Sequence, residues 1–434
     1  MTLDLIGWCG VAALFGLLAM GVPIAWAMGA IGVLGNALIL GLFPAATQLN
    51  FTIWENGTLF LLVSLPTFLL VGQLAFRTGV ANDLYDCVHK WFGRLPGGLA
   101  VAAVVSNAGY GAVTGNSIAA VATMGPMVMP QFRKYGYNLS LGTGTLASAG
   151  TLAVLVPPSA LMIIYGAWTE TSIGDLFLAG VIPCVLLAVT FCVVLVAACS
   201  IWPRLGPRGP RYPLGERLRS LTQLFPTLLI MGIVMGGIYG GVMTPSEAGA
   251  VAVVGVLVVA AAYRRLSWRV IGESLREAAT TSGMVFAILV AGVVFSRFLV
   301  QTQIAQQVVQ GIGAMQLSRV ELLLALLLFY FALGAALDSL GMLMLSLPFV
   351  MPVIESAGID KVWFGVFVAV MVELAAVSPP VGITVAVMRG VAPDVSTQAI
   401  FRGCYPFLVL TILLTVLLIF FPQVALWLPQ SMRS

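Results

Sequence analysis

The sequence predicts an all-α polytopic membrane protein made of two inverted-topology repeats, each with a re-entrant helical hairpin and a Pro-broken transmembrane helix. Three observations predict it. First, 60% of the 434 residues are hydrophobic and only 8% are charged, against about 25% charged in a soluble domain. Apolar runs long enough to cross a bilayer as helices follow one another, and they are continuous rather than alternating, which excludes a β-barrel. Second, the apolar stretch 106–165 is broken twice, around 111–116 and at Pro157-Pro158. Backbone groups freed by such breaks need partners, so in a membrane a break is buried in protein or lines a polar cavity. Third, the second half repeats the breaks of the first.

In chain order, a first helix is expected over 5–20 and a second over 25–42, joined by the turn Gly21-Val22-Pro23. The first apolar segment lacks a basic leader region, so no cleavable signal peptide is expected. Residues 43–57 read as an interfacial segment, 58–76 as a third span, and 77–98 as an amphipathic surface arm. A hairpin at about 99–130 and a broken helix at about 139–168 follow, then a span over 174–201. Together 1–202 form the first repeat. The stretch 203–221 is a basic linker carrying Arg204, Arg208, Arg211, Arg217 and Arg219, cytoplasmic by the positive-inside rule. The second repeat, 222–434, has spans over 225–242, 248–263 and 280–299, with a basic arm at 264–276. A Gln-rich arm over 301–319, uncharged until Arg319 at its end, a hairpin at about 320–354, a broken helix at about 362–389 and a last span over 407–421 complete it.

The halves match at an offset of 222 residues, the difference between Pro126 and Pro348. In that register Val128-Met129-Pro130 falls on Val350-Met351-Pro352, Pro157-Pro158 on Pro379-Pro380, Ser117 on Ser339, Asn116 on Asp338 and Pro23 on Pro245. The first hairpin is flanked by Arg77, Lys90, Arg94, Arg133 and Lys134, and the second by Gln-rich sequence, Glu355 and Asp360, which predicts opposite orientations. Inverted repeats of this kind support alternating access around a site built from discontinuous helices.

Unwound backbone in mid-membrane offers carbonyl oxygens to a cation such as Na⁺. Two hairpin tips facing two broken helices predict two clusters. Candidate ion ligands are Thr114, Asn116, Ser117, Ala153, Val156 and Pro158 in the first, and Ala336, Asp338, Ser339, Ala375, Ser378, Pro380 and Gly382 in the second. Thr114, Asn116, Ser159 and Asp338 are the candidates for substrate contact. Asp338 is the sharpest of these, because a carboxylate in an apolar region is costly without a partner; an N-cap role is its ordinary alternative. Glu373 either faces a polar cavity or bonds a neighbouring helix. Arg297 reads as snorkelling near a span end. GYGAVTGNS lacks the lysine of a phosphate-binding loop, and no Ser/His/Asp set or HExxH points to an enzyme. Six dispersed cysteines and one histidine give no metal-ligand spacing, and the net charge of +4 sits in loops, not on a nucleic-acid-binding face.

GVPIAWAMG (21–29), GNSIAAVATMGPMVMP (115–130), GTLAVLVPPS (150–159), YGGVMTPSEAGA (239–250) and SPPVGIT (378–384) resemble the large membrane (M) subunit of tripartite ATP-independent periplasmic (TRAP) transporters, in the ion transporter superfamily. The resemblance covers nearly the whole chain. It implies a Na⁺-driven elevator importer in the bacterial inner membrane that moves two or more Na⁺ ions with a small carboxylate. It also implies two protein partners, a periplasmic solute-binding protein (P type) and a small four-helix membrane subunit (Q type). Both hairpins and both broken helices would form the transport domain, the remainder the scaffold. Two positions depart from the family pattern: Thr114-Gly115-Asn116 stands where Ser-Gly-Ser is usual, and Ser378 where Thr is usual. A binding-protein-independent Na⁺/dicarboxylate symporter of related architecture is the nearest alternative; a channel or a purely structural membrane subunit is a more distant one.

Overall fold

The computed structural model describes residues 2–334 and 337–433. These are helical throughout, with no strand among them. Among the described residues, six helical segments are long and apolar enough to cross a membrane: Leu139–Thr169, Ile173–Ile201, Pro245–Ala262, Trp268–Gln301, Ser339–Ser356 and Thr397–Phe420.

The first half runs α1 (Leu3–Ala19), α2 (Ile24–Leu40), α3 (Leu42–Gly57), a 3₁₀ turn over Phe60–Val63 and α4 (Ser64–Arg77). The expected span over 58–76 is therefore a helix of 14 residues. Pro66 sits in its first turn, where a missing N–H costs nothing. The amphipathic arm is α5 (Val80–Phe92), and the first hairpin is α6 (Gly98–Thr114) and α7 (Ser117–Lys134). The broken helix has three pieces, α8 (Leu139–Gly150), α9 (Leu152–Leu155) and α10 (Ala160–Thr169). Its additional kink falls at Thr151, whose hydroxyl donates back to the Ser148 carbonyl at 2.6 Å. The long span α11 (Ile173–Ile201) ends the half.

The linker is shorter than expected. Residues 214–221 belong to α12 (Leu214–Tyr239), so Arg217 and Arg219 are helical. Pro213 is its N-cap and Glu216 lies in its first turn, where a negative charge suits the helix dipole. Next come α13 (Pro245–Ala262) and α14 (Trp268–Gln301). The arm and span expected separately over 264–299 are one helix from Trp268 onward. Glu273 pairs with Arg269 on the preceding turn at 2.8 Å and with Arg77 of α4, so the charges are matched on the helix surface without a turn. The rest are α15 (Ile304–Ala314), α16 (Arg319–Gly334), α17 (Ser339–Ser356), α18 (Lys361–Val377), α19 (Ile383–Val391), α20 (Thr397–Phe420) and α21 (Gln423–Arg433). The sequence reading missed α21, which is short, amphipathic and contains Pro429; it packs on α11.

Small residues set the closest approaches. A Cβ on Gly144 of α8 would lie 2.2 Å from the Gly403 carbonyl carbon of α20, and one on Gly403 would lie 1.9 Å from the Ser140 carbonyl oxygen. Without a hydrophobic drive between helices in lipid, such backbone proximity supplies the dispersion that holds them. On the other side, α2 packs along α14, where Asn36 donates to the Val294 carbonyl at 3.2 Å. The centre is α18, buried from Trp363 to Val377 and touched by α10, α11, α16, α17 and α20.

Two contacts relate the ends of the halves. Tyr165 near the end of α10 donates to the Lys361 carbonyl at the start of α18, at 2.8 Å. Arg133 near the end of α7 pairs with Asp394, just beyond α19, at 2.5 Å.

Candidate functional site

The first hairpin tip is built by backbone chemistry. Gly115 ends α6 at φ +59, a left-handed conformation that favours glycine. A Cβ there would lie 2.5 Å from the Pro158 carbonyl oxygen, so the tip seats directly on the break between α9 and α10. One turn earlier, a Cβ on Gly111 would lie 2.3 Å from the Ala153 Cα. The structure thus joins the hairpin end that carries Thr114, Asn116 and Ser117 to Ala153, Pro158 and Ser159, with Val156 in the same break. Ala153, Pro158, Ser159, Thr114 and Ser117 are buried; Asn116 and Val156 are half-buried.

Several of these side chains already have structural work. Asn116 Oδ1 caps α7 by accepting from the Ala119 N–H at 3.1 Å, and Ser159 caps α10 by accepting from the Met162 N–H at 3.4 Å. Thr114 donates to the Tyr110 carbonyl at 3.2 Å. Each capping oxygen retains a further lone pair, so capping and ion contact are compatible at one atom. Direct substrate contact by Ser159 fits less well, because its residue is fully buried beneath the tip.

The second tip is arranged differently. Asp338 occupies the N-cap position of α17 without a side-chain capping hydrogen bond. Its Oδ1 faces the start of α17, 2.6 Å from where a Gly341 Cβ would lie. Asp338 is exposed. It borders a cavity of about 1280 Å³ shared with Pro23, Trp26, Ala291 and Val294, and another of about 670 Å³ shared with Phe15, Val22 and Leu333. Ser339 is half-buried, and Ala336 lies outside the described residues. The hairpin meets α18 through Gly334, whose Cβ would fall 1.9 Å from that of Ala375. In the break, Ser378 donates to the Ala375 carbonyl at 3.1 Å, and Thr384 to the Ala376 carbonyl at 2.9 Å. Gly382 adopts φ +53. Pro380 is exposed, whereas Ser378 is buried. Both Pro pairs carry a cis peptide bond.

The sequence leaves two roles open for Glu373, and the structure gives it a partner in the other half. It is 2% exposed, and Ser117 Oγ donates to its Oε1 at 3.3 Å. The signal was present in the repeat register: Glu373 falls on Thr151, so one half has an acid where the other has a hydroxyl. Thr384, which closes the second break, was not singled out; its counterpart in the register, Met162, carries no hydroxyl. Arg297 forms an ion pair with Glu55 of α3 at 3.1 Å, rather than simply reaching for solvent.

A sequence profile described as the tripartite ATP-independent periplasmic transporter, DctM component, matches residues 11–424. The chain is 32% identical over 400 residues to the large permease protein DctM of a C4-dicarboxylate TRAP transporter from Pseudomonas aeruginosa, covering 92% of this chain and 93% of that one. It is 30% identical over 419 residues to the large permease protein TeaC of an ectoine TRAP transporter from Halomonas elongata, covering 96% and 97%. Among solved structures, the YdaH transporter of Alcanivorax borkumensis superimposes with a TM-score of 0.58 at 14% identity, over 90% of this chain and 89% of that one. The fold is therefore shared with a transporter whose sequence has diverged widely. On the profile match and these relatives, the chain belongs to the family of TRAP transporter large membrane subunits.

Proposed function

We propose that this chain is the translocating subunit of a Na⁺-coupled importer of a small organic acid, working by an elevator motion in the bacterial inner membrane. The observation that carries the reading is the seating of each hairpin on a broken helix, Gly115 against Pro158 and Gly334 against Ala375. The first seat brings non-helical backbone and the hydroxyls of Thr114 and Ser117 together inside an apolar protein, which is the chemistry an alkali cation needs; at the second, the hairpin packs on α18 just before its break. The relatives named for C4-dicarboxylate and ectoine, and a third from Vibrio cholerae named for sialic acid, support a carboxylate-bearing cargo.

In this reading the halves are inverted repeats. The end of α10 meets the start of α18 through Tyr165, and the end of α7 meets the end of α19 through Arg133; both contacts support antiparallel broken helices. Helices α6–α10 and α16–α19 form the moving body, and α2, α4, α13 and α14 belong to the frame. A separate small membrane subunit braces the frame, and a periplasmic binding protein delivers the cargo.

Reconstitution tests this. The chain is placed in liposomes with its small subunit, and uptake of a labelled dicarboxylate is followed under an inward Na⁺ gradient, with and without the cognate binding protein. Uptake requiring both is expected. Uptake that needs Na⁺ but no binding protein would instead identify a self-sufficient symporter, and uptake indifferent to Na⁺ would overturn the coupling. For the elevator, a Cβ on Gly72 of α4 would lie 3.5 Å from the Thr114 Cβ, within the span a disulfide bridges. A Gly72→Cys/Thr114→Cys crosslink should stop transport, and reduction should restore it. Full transport in the crosslinked protein would exclude the motion.

A further inference from the structure

Glu373 is an acid that neither tip-and-break cluster uses. It lies within α18, where every residue from Trp363 to Val377 is buried. Its Oε1 accepts from Ser117, but Oε2 has no hydrogen-bond partner among the described residues. None of the ion pairs among those residues involves it. An ionised carboxylate without a counter-charge in a membrane interior is strongly disfavoured, so Glu373 either carries a proton or faces a cation at its unpartnered Oε2.

The position is specific. Ser117 opens α7 at the first hairpin tip, while Glu373 precedes the second break on α18, so the bond crosses from one half to the other. At the equivalent place in the first half, Thr151 satisfies its own hydroxyl on the Ser148 carbonyl at 2.6 Å. The second half thus replaces a self-contained hydroxyl with a carboxylate aimed at the opposite hairpin. A carboxylate and a hydroxyl are hard oxygen donors, the set preferred by hard cations.

We infer that Glu373 and Ser117 ligate a monovalent alkali cation at a point shared by the two halves, where Glu373 extends the first tip-and-break cluster through Ser117. The inference rests on the Na⁺-coupled reading above and assigns it a further ligand. A cation here neutralises Glu373 and holds the first tip against α18, so loading and seating of the tip become one event.

The test measures thermal stabilisation by Na⁺ of the purified complex with its small subunit, titrated against choline at constant ionic strength. Wild type, Glu373→Gln, Glu373→Asp and Ser117→Ala are compared. We expect the half-maximal Na⁺ concentration to rise at least tenfold in Glu373→Gln and several-fold in Ser117→Ala, with Glu373→Asp close to wild type. A Glu373→Gln protein with the wild-type midpoint and steepness overturns the site, and identifies the acid as a protonated structural group. Should Glu373→Gln not assemble, an unchanged midpoint in Ser117→Ala overturns it equally. A wild type that does not respond to Na⁺ at all removes the Na⁺-coupled reading itself, whereas a responsive wild type matched by its variants removes only the Glu373 site.

Discussion

The two hairpin tips follow one sequence plan and end in opposite surroundings. At the first, Pro157, Pro158 and Ser159 are all buried beneath Gly115, and Ser117 is held from the far half by Glu373. At the second, Pro380 is exposed, Val381 is 50% exposed, and Asp338 opens onto cavities beside α2 and α14. The difference comes from the neighbours. The first hairpin packs on α4, α8 and α9 and is reached from α18 by Glu373, whereas open space separates the other tip from Pro23 and Trp26. In the proposed reading, a closed tip suits an ion that must be held dry, and an open tip bearing a carboxylate suits the place where the cation arrives.

The largest effect that breaks this contrast should come from the open tip. Asp338→Ala removes the carboxylate there, and Na⁺-driven uptake in liposomes should fall at least about tenfold, the equivalent of one charge-assisted contact of ~1.5 kcal/mol. Wild-type rates in that variant would show that the cavity acid takes no part in transport. Next is the closed tip: Gly115→Val should destabilise the protein by about 1–3 kcal/mol through overpacking and left-handed strain, seen as a lowered Tm and lost uptake. A mild effect would mean that the tip sits away from Pro158. Third, Asn116→Ala removes the α7 cap and should cost about 1 kcal/mol. Asn116→Asp keeps the cap and makes the first tip resemble the second, so it should retain stability while altering the Na⁺ dependence of uptake; the two readouts separate capping from ligation. The smallest effect is expected outside both tips. The Arg297–Glu55 pair is part-exposed, so Arg297→Ala should shift unfolding by no more than about 1 kcal/mol, and a larger loss of uptake without a change in Tm would assign Arg297 to the transport path.

Much of the fold was legible because lipid removes choices. A backbone without water must bond to itself, so an apolar run such as 174–201 has to be helical, and breaks at Pro157-Pro158 and Pro379-Pro380 had to be buried in protein or line a polar cavity. The register that placed Asp338 on Asn116 also needed only the sequence. Boundaries were less legible where polar residues blurred them. The basic stretch 264–276 has the composition of a separate arm, yet Arg269 pairs with Glu273 along α14, Glu273 with Arg77 of α4, and Arg265 with Asp83 of α5. The shortened linker before α12 is the same kind of error, since arginines on an exposed first turn and arginines in a loop have the same composition.

What the sequence alone determined is a membrane-spanning chain of helices with two matched pairs of breaks and a family resemblance spread along its length. What only tertiary structure decided is which break is sealed, and that Glu373 reaches Ser117 across 256 positions of the chain. Helix formation follows from local chemistry, because each backbone group finds its partner within a turn. Burial and long-range hydrogen bonds depend on which distant surfaces meet, and those are set by glycine contacts such as Gly144–Gly403 and Gly334–Ala375 that no single segment specifies.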